Sequence, residues 1–205
     1  ENTRRLGAEV LLAGDTLAAA REAMLELARR DGLVIVHPYD DPDVIAGQGT
    51  MGLEILEQVP DVDAIVCPVG GGGLIAGLSL AVKSLRPRVK VIGVESVATG
   101  NFAAALRARH PVMVPRRATL ADGLASLSVG ANAFALARRH VDQVVSVGEN
   151  WISLAILRML ELEMTVVEGA AAAPLAALMA GQLPKLKGRK VVLVVGGGNI
   201  DPAIL

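Results

Sequence analysis

The sequence predicts an α/β fold built on an open, mostly parallel, twisted sheet with helices on both faces. Three features carry this expectation. Short β-branched runs alternate with segments of helical spacing along the chain. The runs are nearly uniformly apolar, as parallel strands covered on both faces must be. Glycines gather at the carboxyl ends of two of these runs, where open α/β sheets bind their ligands.

In order along the chain, strands are expected at 8–12 (AEVLL), 33–37 (LVIVH), 64–69 (AIVCPV), 90–95 (KVIGVE), 141–147 (VDQVVSV) and 190–195 (KVVLVV). Between them the spacing predicts helices over 15–31, 43–58, 73–84, 102–109, 130–139, 149–163 and 168–180. Asp15 is the expected N-cap of the first. The stretch HPYDDPD, 37–43, is where Pro and Asp interrupt this rhythm most densely. It sets an expected boundary between a smaller α/β lobe, 1–41, and most of a larger one, 42–205.

Composition removes several classes of function. The 205 residues are 52% hydrophobic, yet no uncharged apolar run approaches the roughly 18 residues that span a bilayer. Twenty Lys and Arg balance 21 Asp and Glu, and aromatic residues make up 2%, so neither a basic field nor stacking platforms favour nucleic acid. The single cysteine, Cys67, cannot form an internal disulfide and reads as core, which points to a reducing, cytoplasmic setting. The opening ENTRRLGAEVLLAG has neither the charged nor the apolar region of a targeting segment, and the chain is expected to be a fragment or a processed product.

Four consecutive glycines, Gly70, Gly71, Gly72 and Gly73, follow the apolar run at 64–69 and precede a helical pattern. In such a turn, amides freed of side chains face a ligand and the helix dipole adds partial positive charge, so a phosphate is the natural guest. Leu74 and Ile75 stand where a nucleoside triphosphate loop has Lys and Ser/Thr, which disfavours ATP and GTP. Gly71, Gly73 and Gly77 also fit a dinucleotide-binding turn, with Glu95 about 20 residues on as a ribose-binding acid, so an NAD(P)-binding domain stays open on these features. A second cluster, VVLVVGGGNID at 191–201, lets two glycine turns converge on one ligand.

Seven stretches, taken in order, carry a resemblance. They are RRLGAEVLLAG (4–14), VHPYDDPDVIAGQGTMGLEIL (36–56), PVGGGGLIAG (68–77), VIGVES (91–96), LADGLA (120–125), VVEGAAAAPLAAL (166–178) and GGGNID (196–201). Together they are similar to the pyridoxal-phosphate-dependent serine and threonine dehydratases, with serine racemase as a close relative, all of the tryptophan-synthase-β-like fold (fold type II). The resemblance implies a two-lobed enzyme whose cofactor phosphate rests on the backbone amides of Gly70, Gly71, Gly72, Gly73 and Leu74. It places Gly123 near the cofactor ring and puts Glu95, with the carbonyl of Thr99, at a monovalent or divalent cation site, although Asn101 stands where some racemase-like members have an acid. Tyr39 and Gln48 lie in stretches that pass near the substrate pocket. His37 reads as a hydrogen-bonded structural residue, and Glu168 as a carboxylate favoured at the N-terminus of its alanine-rich helix.

Two departures matter. The family's early motif with the Schiff-base lysine, and the loop that grips the substrate carboxylate, do not occur, so no catalytic residue is expected in this chain and about a hundred residues are expected upstream. The family's SGGN reads Gly196-Gly197-Gly198-Asn199 here, which leaves Gly196 with only backbone or a bound water to offer the pyridine nitrogen. The implied activity is deamination of L-threonine or L-serine to 2-oxobutanoate or pyruvate and ammonia by a homo-oligomer. The alternatives are a serine racemase and a non-catalytic chain acting as a binding or regulatory partner.

Overall fold

The computed structural model describes residues 2–15, 17–115 and 117–201. The chain divides into two compact units, 1–36 and 37–205. In the first, a short helix α1 (Asn2–Arg5) and a longer one, α2 (Leu17–Asp31), flank a stretch without regular structure. The two apolar runs expected as strands at 8–12 and 33–37 form no ladder. A parallel strand exists only where a neighbour takes its N–H and C=O groups, and no described segment does so here. Leu12 and Val34 accordingly stand 88% and 89% exposed.

The second unit is built on four parallel strands. These are β1 (Ala64–Pro68), β2 (Lys90–Ser96), β3 (Gln143–Val147) and β4 (Val191–Leu193), in the order β3-β2-β1-β4. β1 is central and buried along its whole length. The side-chain period of two splits each strand between two cores. Ile65, Cys67, Val91, Val144 and Val192 face one, while Val66, Ile92, Val94, Val145 and Leu193 face the other.

The first core is covered by α3 (Pro42–Gln58), α4 (Gly73–Leu85), α5 (Asn101–Ala108) and α6 (Ala131–His140). The second is covered by α7 (Glu149–Glu163) and α8 (Gly169–Met179). Helices on both faces explain why the strands read as unbroken apolar runs. α3 begins where the sequence supplies a start signal: Asp41 accepts from the N–H groups of Asp43 and Val44, and Pro42 occupies a position whose missing N–H costs nothing. α8 is almost wholly alanine on its buried face, which lets its axis lie close to β1, β2 and β3. Cys67, fully buried in β1, has its thiol pKa pushed far up by burial alone.

α3 and α4 touch backbone to backbone. A Cβ on Gly77 would overlap the carbonyl oxygen of Ile45 and lie 2.7 Å from the amide nitrogen of Gly49. No rotamer change relieves a clash with main chain. Gly77→Ala is therefore expected to lower unfolding free energy by about 1–3 kcal/mol. Gly47, in the same helix pair but with nothing within 4 Å of its Cβ position, provides the control. Gly47→Ala is expected to raise stability by about 0.5–1 kcal/mol through the propensity gain, and urea denaturation of the two variants checks both signs.

Candidate functional site

Where β1 ends, Val69 N–H still bonds to Val94 O, and the next four residues carry no side chain. Gly72 is the N-cap of α4 with φ +95° and makes no side-chain cap, so the first-turn amides of α4 are left open. The carbonyls of the loop are held elsewhere. Gly70 O accepts from Asn101 Nδ2 at 3.1 Å, and Gly71 O accepts from Gly130 N–H at 3.0 Å. Donors face the space above the loop and acceptors are turned away, which is the polarity an anion requires.

That space is a cavity of about 380 Å³ at the carboxyl end of β1. Every residue expected to touch the cofactor lines it: Gly70, Gly71, Gly72, Gly73, Leu74, Gly123 and Gly196. Tyr39, Gln48 and Glu168 line it as well. Side chains are excluded from the loop by contact. A Cβ on Gly70 would lie 2.8 Å from Gly123 O, one on Gly72 would lie 2.9 Å from Val129 Cγ1, and those on Gly71 and Gly73 would overlap Tyr39.

The walls are fixed by carboxylates whose partners lie far off in sequence. Glu149, the first residue of α7, accepts from Ser96 Oγ (2.8 Å), Thr119 Oγ1 (2.8 Å) and Leu120 N–H (2.7 Å), which pins the strap that carries Gly123. Asp40 accepts from the amides of Ala131 and Ala133 and so caps α6 from a segment some ninety residues upstream. His37 Nδ1 accepts from Asp40 N–H at 3.0 Å, the structural role expected of it. Glu149 and Asp40 were invisible to sequence reading, because no local signal announces a cap supplied by a distant segment.

Glu95 is fully buried, and the cavity does not reach it. Its Oε2 accepts from Phe102 N–H at 3.0 Å and its Oε1 from Ala103 N–H at 3.3 Å, so it caps α5. A ribose-binding acid would have to face the ligand; the dinucleotide reading fails on this carboxylate. Thr99 is tied to Ser96 O through both its N–H and its hydroxyl. Asn101 Oδ1 is the one side-chain polar atom buried without a hydrogen-bond partner among the described residues.

Glu168 departs from expectation. It occupies the N-cap position of α8, yet its side chain makes no cap bond there. The carboxylate turns toward the 196–199 loop, where Oε2 accepts from Asn199 N–H at 3.2 Å. Gly196 is not a strained position: its φ is not positive, and a Cβ there would meet nothing within 4 Å. A backbone requirement for glycine at 196 is thereby excluded.

A parallel α/β sheet whose strand β1 runs through a side-chain-free turn into an uncapped helix has the geometry suited to a phosphate-bearing group. The family follows: the chain belongs to the pyridoxal-phosphate dependent enzymes, whose family model matches residues 1–197. It is 48% identical over 199 residues to an L-threonine ammonia-lyase of Thermotoga maritima, covering 97% of this chain and 49% of that protein. Among solved structures it is similar to the processed form of threonine deaminase isoform 2 from Solanum lycopersicum, at TM-score 0.92 and 38% identity, covering 98% of this chain and 59% of that one. Maize serine racemase is similar too, at TM-score 0.93 and 30% identity over 98% and 62%. The chain spans about half the length of the curated relative it matches. Among the described residues no helix is long and apolar enough to cross a membrane.

Burial raises the Glu95 pKa in the folded protein, against the opposing pull of its bonds to Ala103 and Phe102. Glu95→Ala is expected to cost about 1–3 kcal/mol, since two helix amides lose their acceptor. The pH dependence has a defined sign. A carboxyl whose folded pKa exceeds its unfolded value contributes stability below the unfolded pKa and loses it as pH rises through the folded one. The stability difference between wild type and Glu95→Gln is therefore expected to move against the wild type as pH climbs through that window, read by urea titration at several pH values.

Proposed function

We propose that the protein of which this chain is part is a pyridoxal-phosphate-dependent ammonia-lyase that converts L-threonine or L-serine to 2-oxobutanoate or pyruvate and ammonia. The observation that carries the reading is the loop of Gly70 to Gly73, with its donors open to the cavity and its carbonyls bonded elsewhere. In this reading the amides of Gly70 to Leu74 bind the cofactor phosphate. The strap at Gly123, held by Glu149, and the loop at Gly196 flank the ring. When bound, pyridoxal phosphate supplies the electron sink that stabilises negative charge at the substrate Cα.

The chain's own residues anchor and orient. A phosphate fixed by several backbone donors keeps the ring in place while charge develops, and the apolar wall of Leu74, Ala170 and Ala171 limits water. The lysine and the carboxylate-binding loop that complete the site are expected outside these 205 residues, with the segment 1–41 finishing a smaller lobe. The homo-oligomeric state rests on the resemblance, as does a cation beside Glu95 and the Thr99 carbonyl. The cytoplasmic setting rests on the single cysteine.

Incubating the full-length protein with L-threonine and with L-serine, and measuring 2-oxo acid, ammonia and D-serine, tests the reaction. Formation of 2-oxo acid is the expected result; D-serine as the main product would replace the lyase by a racemase, and no turnover would favour the non-catalytic reading. The cradle is tested separately. Gly72→Val is expected to weaken pyridoxal phosphate binding at least tenfold, about 1.4 kcal/mol, because valine resists φ +95° and its side chain would meet Val129. Cofactor titration of a folded variant checks it, and unchanged affinity would remove the loop from the site.

A further inference from the structure

The cavity is electrically bipolar. One part of its wall offers the open amides of Gly70 to Leu74; another offers the carboxylate of Glu168, the one acidic side chain among the lining residues. The side chain of Glu168 leaves its own helix uncapped, although a carboxylate at that N-terminus gains from the dipole. Its environment instead makes room for it. A Cβ on Gly197 would lie 2.8 Å from Glu168 Cδ, and one on Gly123 would lie 3.4 Å from Oε1. Oε2 has a single donor in Asn199 N–H, while Oε1 has no hydrogen-bond partner and no cation pairs with the group among the described residues.

A half-buried carboxylate with an unused oxygen at the cavity wall can accept a donor or pair with a cation from the ligand. Resting on the proposed function, the ligand is pyridoxal phosphate, and its groups can be sorted by charge. The phosphate is anionic and belongs on the amides. The ring oxygen is an acceptor or an anion and would be repelled by Glu168. In the free cofactor the ring nitrogen is the group that becomes cationic on taking up a proton. We propose that Glu168 contacts the cofactor at that nitrogen and holds a proton on it, the neighbouring Gly196 and Gly197 having no side chain to do so.

A charge-assisted bond of this kind acts on the ring nitrogen and on nothing else in the cofactor. The experiment compares pyridoxal phosphate with its 1-deaza analogue, in which a C–H replaces the ring nitrogen, by titrating both into the full-length protein. Wild type is expected to bind pyridoxal phosphate at least tenfold more tightly than the analogue. In Glu168→Gln the preference should largely vanish, with analogue affinity unchanged. The thermal midpoint of the cofactor-free variant should also hold, because Gln retains an acceptor for Asn199 N–H. Gly196→Ser, for which the backbone and the free space allow a hydroxyl, should restore part of the preference in the Glu168→Gln background.

Equal losses for both ligands in Glu168→Gln, or a preference that survives it, would overturn the assignment and return Glu168 to a structural role. Failure of the proposed function looks different. Wild type that binds neither ligand would sink both readings, whereas tight, nitrogen-dependent binding without turnover of threonine or serine would sink the reaction and leave the assignment standing.

Discussion

The turn out of β1 sets one constraint on the unit 37–205: its backbone donors must stay open while its carbonyls are satisfied. Glycine alone allows the chain to lie this close to Tyr39, Gly123 and Val129. The carbonyls then need fixed partners, which come from Asn101 at the start of α5 and from Gly130 ahead of α6. Two carboxylates in turn cap those helices, the buried Glu95 at α5 and the half-buried Asp40 at α6. Each acid neutralises a helix N-terminus that would otherwise compete for the anion. The N-terminus of α4 has no side-chain cap and opens onto the cavity, which leaves its positive end to the proposed ligand.

This arrangement divides the labour between the two faces of the sheet. The face under α3 and α4 is packed by close main-chain approach, as at Gly77 against Ile45. The face under α7 and α8 is packed by alanines and carries the strap and the acidic wall. Preorganisation at the cavity is thus a property of the scaffold. On the proposed function, the donors would need no rearrangement to receive a phosphate, and such fixed dipoles act most strongly where water is excluded.

The sheet was legible because strands covered on both faces leave unbroken β-branched runs, and the four ladder strands fall on the runs read at 64–69, 90–95, 141–147 and 190–195, β2 running one residue further to Ser96. The helices agree to within a residue or two. The runs at 8–12 and 33–37 look the same in composition but lack a neighbour, and pairing is not written in a strand's own residues. The glycine loop was legible for a related reason: what matters there is the absence of side chains, which a sequence shows directly. Glu168 was read as a helix cap because the sequence gives its place next to α8 but not the direction of its carboxylate. Glu149 reaches Leu120 and Asp40 reaches Ala133 across gaps that no motif spans.

Cys67 lies at the centre of this scaffold, fully buried in β1 with its thiol held protonated by the loss of solvent. Thiolate chemistry requires both access and ionisation, and the folded sheet denies both. A thiol reagent added to this chain would therefore count only those molecules whose central strand has come apart. With one cysteine in its 205 residues, this chain carries a built-in gauge of how often its core opens, one that is silent to fraying at the termini and to movement of the surface loops.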